Sequence, residues 1–224
     1  MKLAPINKNE AVRYLGYGKN LPDENISNMI DKCELVLRND LNPSYVYKIF
    51  GKEITAEGNI KLSGSHVIFY GSDINKHLDK CDKILLLCAT LSQQADKIIR
   101  LAQISNITEA LIYDALSSAA VEQVCDTACE EVYSKFPGYF QTKRFSPGYG
   151  DFPLDVQKEF LEITDATRKT GMTVNDGNIL IPMKSVTAVI GLSDQKLLQK
   201  NTGCCCCPLN KSCSYRKEGT NCGF

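Results

Sequence analysis

The run Lys83-Ile-Leu-Leu-Leu-Cys-Ala-Thr90 constrains the fold more than any other segment. It is apolar, bounded by polar residues and shorter than an ordinary helix, so it reads as a buried strand. Before it, Asn7 caps a predicted helix through Tyr14, with Gly16 and Gly18 as stop signals. Residues 24–39 place Ile26, Met29, Ile30, Cys33 and Leu37 (or Val36) on one helical stripe, ended before Pro43. Ser44 to Ile54, the Ile60/Leu62 pair and His66 to Tyr70 read as strands punctuated by glycines, and 74–80 as a short helix. After the apolar run come a helix from Ser92 to about Ser105 and a long one from Thr108 to about Lys135, stopped by Pro137-Gly138. A helix over about 154–167, capped by the Asp151 region and ended by Gly171, precedes a pair of strands, 179–181 and 185–191, on either side of Pro182. Strands and helices are interspersed without a regular βαβ order. No G-x-G-x-x-G follows a strand and no Walker A sequence is present. The expected fold is α+β: a single domain over 1–200 with a largely antiparallel sheet (an N-terminal part, 1–80, and a core, 81–200), then a cysteine-rich tail, 201–224.

Composition narrows the functional classes. Twenty-six basic residues balance 26 acidic ones, which argues against a general nucleic-acid surface. No apolar run approaches the ~20 residues of a membrane span. MKLAPINKNE lacks the apolar core of a signal peptide, so a cytoplasmic location is expected. In that reducing compartment the 11 cysteines need an account other than disulfides. Cys33, Cys81, Cys88, Cys125 and Cys129 suit core positions. His66 and His77 read as structural, and no nucleophile–base set is visible; the catalytic residue set is expected to be none.

The densest chemistry lies in Arg144-Phe-Ser-Pro-Gly-Tyr149, followed by Gly150 and Pro153. Arg144 offers a planar fork for a carboxylate. Pro147 fixes its own φ and extends Ser146. Gly148 and Gly150 allow close approach to the main chain, and Tyr149 offers a ring face to a cation. A surface turn is the alternative reading. On the long helix, Ala115, Ser118, Glu122, Cys125 and Cys129 share one face, four of them small. Such a face serves either close helix packing, with Glu122 at the solvent edge, or access to a ligand.

Taken together, Arg144-x-x-Pro-Gly-Tyr149, Thr170-Gly171-Met172, Pro182-x-x-Ser185-Val186 and the helix Ala115–Glu122 resemble the activation domain of cobalamin-dependent methionine synthase over residues 84–194. Glu10-Ala-Val-Arg-Tyr-Leu-Gly-Tyr17 resembles the small standalone bacterial forms. The resemblance implies a twisted antiparallel sheet and a shallow S-adenosylmethionine groove. Arg144 would pair with the ligand carboxylate, Ser146 and Gly148 would offer backbone groups, Tyr149 would lie near the sulfonium, and Glu122 would balance a cationic centre. It implies a reactivation subunit: one electron and a methyl group from S-adenosylmethionine return cob(II)alamin to methylcobalamin, with cobalamin supplied by a corrinoid-binding methionine synthase module and the electron by a flavodoxin or ferredoxin. Such a chain works as part of a methyltransferase rather than as an independent enzyme. Two features depart from the pattern: Leu198 stands near the place of a family tyrosine, and the family's N-terminal ligand aspartate has no evident counterpart. The alternatives are an accessory redox protein for another corrinoid methyltransferase, and a binding module that keeps the fold without the chemistry.

The tail, GCCCCPLNKSCSYRKEGTNCGF, contains Cys204-x2-Cys207-x5-Cys213-x8-Cys222. Four thiolates with a C-x-x-C turn suit tetrahedral zinc or an iron–sulfur cluster; a redox-active or disordered thiol tail is the rival. Near-stoichiometric zinc or iron is expected in anaerobically purified protein, and natively folded protein free of metal removes the idea.

Overall fold

Local chemistry sets the first elements. Asn7 accepts from the N–H groups of Asn9 and Glu10 and starts α1 (Lys8–Tyr14). Asp23 accepts from Ile26 N and starts α2 (Glu24–Asp40), whose Ile30, Cys33 and Leu37 are buried. Next come β1 (Ser44–Ile54), β2 (Ile60–Leu62) and β3 (Ile68–Phe69), joined as an antiparallel meander. α3 (Ser72–His77) leads into β4 (Lys83–Thr90), followed by α4 (Gln93–Ser105) and α5 (Ile107–Lys135). Then come β5 (Phe140–Gln141), α6 (Gln157–Thr164), α7 (Ala166–Thr170), β6 (Thr173–Val174), β7 (Leu180–Ile181) and β8 (Ser185–Ser193). The structure, a computed structural model, describes residues 1–18 and 20–197. Leu198 and the tail cysteines Cys204, Cys207, Cys213 and Cys222 lie outside the described residues.

The expected α+β class with an antiparallel sheet is the observed one. The main sheet has the order β3-β2-β1-β4-β8-β5, with every pairing antiparallel. β4 pairs with β1 from Ser44↔Thr90 to Gly51↔Lys83, and with β8 from Lys83↔Leu192 to Thr90↔Ser185. Successive side chains of a strand point to opposite faces. Leu85, Leu87 and Ala89 accordingly enter a core shared with α2, α4 and α5, while Ile84, Leu86 and Cys88 enter a second core with α6, β2 and β3. α5 is 29 residues long and buries Ala110, Ala115, Ala119, Ala120 and Ala128, small residues that let the sheet and three other helices approach it closely. At its C-terminal end Glu131 accepts from the Tyr45 and Tyr47 hydroxyls of β1, at 2.5 and 2.9 Å, and from Lys135. The hydrogen bond from Lys135, then those from Tyr45 and Tyr47, hold the Glu131 carboxyl at about 2.

Two expectations need correction. The helix expected over 154–167 is two helices, because Asp165 adopts the left-handed conformation at φ 59° and its carboxylate accepts from Arg168 Nε at 2.8 Å. Asp/Asn tolerate that conformation through local side-chain bonds. Asp151 does not cap that helix: it accepts from Ser72 N at 2.6 Å and Asp73 N at 2.9 Å, at the start of α3. The expected strands at 179–181 and 185–191 are β7 and β8; β7 pairs with β6 in a separate two-stranded sheet, while β8 joins β4. The chain redirects between them, where Met183 N donates to Asp96 Oδ2 at 2.8 Å. Among the described residues no helix is long and apolar enough to cross a membrane.

Gly191 of β8 has no room for a side chain. A Cβ there would clash with Cys81 Sγ and sit 2.8 Å from Leu78 Cδ2 and 3.0 Å from Cys81 Cβ. Gly191→Ala is expected to cost about 1–3 kcal/mol by overpacking, read as a lower urea midpoint at unchanged slope. An unchanged midpoint contradicts this packing.

Candidate functional site

An open cleft of about 1070 Å³ lies over the middle of α5. Its floor is Ala119, Glu122, Asp126 and Cys129 of α5 together with Val186 and Thr187 of β8. One wall is the segment 141–149 and another is α1, through Glu10, Arg13 and Tyr14. Four carboxylates (Glu10, Glu122, Asp126, Glu130) and three cations (Arg13, Lys143, Arg144) line it. That mixed field suits a small molecule carrying charges of both signs.

The segment 142–152 is fixed from two sides. Phe145 exchanges backbone hydrogen bonds with Val189 of β8, at 2.9 and 2.8 Å, which sends the neighbouring Arg144 side chain toward α5. Tyr149 N donates to Ser146 O at 3.0 Å, closing a turn around Pro147-Gly148. Gly148 sits at φ 90° and donates to Phe152 O at 2.9 Å. Gly150, at φ 56°, packs against the Asp73 carboxylate so tightly that a Cβ would lie 3.1 Å from Asp73 Cγ. The Asp151 carboxylate then fastens the loop to the first turn of α3.

Arg144 and Glu122 meet in this cleft. Arg144 donates through Nη2 to Glu122 Oε2 at 2.7 Å and through Nη1 to Asp126 Oδ1 at 2.5 Å. Glu122 and Asp126 are one helical turn apart, which sets their carboxylates side by side for one guanidinium. Burial opposes the Arg144 charge, but the hydrogen bond to Asp126 and the facing acidic groups outweigh it, and its pKa is raised. Tyr149 is raised by burial and by the Glu122 charge, with Arg144 opposing, so the phenol stays protonated at neutral pH. Cys129 is raised by burial, against the pull of Arg144, and stays a thiol.

Of the residues singled out in the sequence, Glu122, Arg144, Ser146 and Tyr149 line the cleft. Gly148 is not among the lining residues: its N–H is engaged with Phe152 and its conformation serves the turn. Cys33, Cys81, Cys88, Cys125 and Cys129 are buried and unpaired. Among the described residues no group of three or more His, Cys, Asp or Glu can hold a metal ion. Sequence reasoning missed Asp126 and the whole α1 wall. Asp126 was within reach, four residues past Glu122 on the same helix; the position of α1 was not, because it depends on packing across more than 100 residues of chain.

No protein-family model matches this chain, and no curated protein sequence does. Its fold does match a solved one. A crystal structure of the MetH reactivation domain bound to AdoHcy superposes with a TM-score of 0.67, over 86% of this chain and 75% of that one, at 14% sequence identity. The chain therefore has the MetH reactivation-domain fold, as the resemblance in its motifs implied.

Asp151 makes the loop's attachment dependent on pH. Hydrogen bonds from Asp73 N and Ser72 N lower its pKa. The stabilisation is therefore complete above the unfolded carboxyl value of about 3.9 and is lost as pH falls through the lower folded value. Asp151→Asn is expected to be less stable than wild type at pH 7, with the gap closing as pH drops below ~4, in urea titrations across pH. A gap that is constant with pH contradicts the assignment.

Proposed function

We propose that this chain binds S-adenosylmethionine in the cleft over α5 and serves as the reactivation subunit for a cobalamin-dependent methionine synthase. The observation that carries the reading is the meeting of Arg144 and Glu122 in one cleft of a chain with the MetH reactivation-domain fold. The neighbour's AdoHcy differs from S-adenosylmethionine by the transferable methyl group.

The lining suits this ligand. An Arg side chain has five N–H donors; Arg144 spends two on Glu122 and Asp126 and also faces the Cys129 thiol, and its remaining donors can take the ligand carboxylate. Glu122 and Asp126 keep that guanidinium in place and put negative charge beside the ligand's ammonium and sulfonium groups. Tyr149 lines the same wall with its ring, and Ser146 offers main-chain and hydroxyl groups. Gly148 supports the site through the turn, with its carbonyl as its remaining backbone contribution. Cob(II)alamin, carried by a partner corrinoid module, is the substrate to be reductively methylated. This chain's part is to hold the methyl donor at an open surface that such a module can reach, which is catalysis by positioning. Residues 1–200 would form the ligand-binding unit. The tail cysteines Cys204, Cys207, Cys213 and Cys222 would hold zinc or a cluster, and a flavodoxin or ferredoxin would supply the electron.

Calorimetry tests the reading. Wild type is expected to bind S-adenosylmethionine, more weakly as salt is raised. Arg144→Ala, which removes a charge-assisted hydrogen bond of about 1.5–3 kcal/mol, is expected to weaken binding by tenfold or more. Absence of binding by wild type, or equal affinity of the two proteins, overturns it. Capture of a corrinoid-bearing protein in the presence of S-adenosylmethionine tests the partner separately.

A further inference from the structure

The α1 wall is held in place by a set of long-range polar contacts. Ile6 N donates to Glu34 Oε1 at 3.0 Å, and Lys8 Nζ pairs with Glu34 Oε2 at 3.0 Å. Gln123, next to Glu122 on α5, accepts from Asn7 N at 2.7 Å and donates to Pro5 O at 2.9 Å. Leu3, Ile6 and Ala11 are buried beneath. α5 thus grips the Arg144 loop with Glu122 and Asp126 and the N-terminal segment with Gln123, so the cleft is bounded on both sides from one helical turn.

Among the described residues, two aromatic rings line the cleft, Tyr14 on α1 and Tyr149 on the loop. Tyr149 stands beside Arg144, where the amino-acid end of the ligand is placed above. Tyr14 stands on the α1 wall, 44% exposed as a residue, with the Arg13 guanidinium 4.5 Å from its ring centroid. Arg13 is in turn oriented by Glu10, through Nε at 2.9 Å and Nη2 at 2.7 Å. A cation-backed ring on the wall of a cleft is a stacking platform for a planar heteroaromatic group.

We propose that Tyr14 is a ligand-contacting residue that stacks on the purine of the S-adenosyl ligand, and that Gln123 is the positioning residue that holds α1 for this contact. The proposal rests on the ligand reading above. It divides the ligand between two walls: the amino-acid part at Arg144, the base at Tyr14.

The test is a crossed titration with S-adenosylhomocysteine, and with methylthioadenosine, which has the base but no amino-acid part. Tyr14→Ala is expected to weaken both by about tenfold, within the range of base–aromatic stacking. Tyr14→Phe is expected to restore both. Arg144→Ala is expected to weaken S-adenosylhomocysteine but leave methylthioadenosine unchanged. Gln123→Ala is expected to reproduce Tyr14→Ala while binding of methionine alone stays as in wild type. Tyr14 is half exposed, so its substitution should leave the fold intact, and the Phe variant separates loss of the ring from loss of the hydroxyl. Equal affinities for wild type and Tyr14→Ala overturn this proposal and leave the ligand reading standing. No binding of either compound by wild type overturns both.

Discussion

The fold depends on the burial of β4 on both faces. Its alternating residues divide between two hydrophobic cores, one under α2, α4 and α5 and one under α6, β2 and β3. Each full burial of a Leu or Ile side chain contributes roughly 1.5–3 kcal/mol, and four of the largest fully buried side chains are Ile84, Leu85, Leu86 and Leu87. With its neighbours β1 and β8 paired along its whole length, β4 also satisfies its backbone groups without water. The helix that floors the cleft and the strand beside it are both packed onto this centre.

The cleft is built by attachments to that rigid middle rather than by the loop itself. Phe145 ties the Arg144 segment to β8, and Asp151 ties its far end to α3. The first anchor is a pair of main-chain hydrogen bonds and the second a carboxylate accepting from two main-chain N–H groups, and both define direction as well as position. Arg144 is then held by two carboxylates one turn apart on α5. Without a ligand, the guanidinium is therefore ordered by the protein, and little side-chain entropy is left to lose on binding. The arrangement also limits affinity, since a ligand carboxylate must share the cation with two others.

Much of this was legible in the sequence because it is written in local chemistry. The apolar run of β4, the Asn7 and Asp23 caps and the pattern of β1 mark their elements without reference to the rest of the chain. Glu122, Arg144 and Tyr149 carry a chemistry that an ordered series of motifs made recognisable. What stayed hidden is long-range. Asp151 looked like a cap for the helix that follows it, yet its partners are Ser72 and Asp73, nearly 80 residues earlier. The two-residue β5 and β6 have too little pattern to announce a strand, and exist because β8 and β7 offer them an edge. Asp165 reads as an ordinary helical residue until its backbone is seen in the left-handed region.

The order of strands in the sheet has a consequence for biosynthesis. β4 is flanked by residues 44–51 and by residues 185–192, so its second edge is unpaired until nearly a hundred further residues have left the ribosome. Pairings of such high sequence separation form slowly, and an apolar strand with an open edge invites association with other chains. During that interval α4 and α5 can cover one of its faces, while the other has β2 and β3 beside it but still lacks α6. The second core and the sheet are thus completed last, when α6 and β8 arrive, and β8 then both closes the open edge of β4 and brings its part of the cleft floor into place.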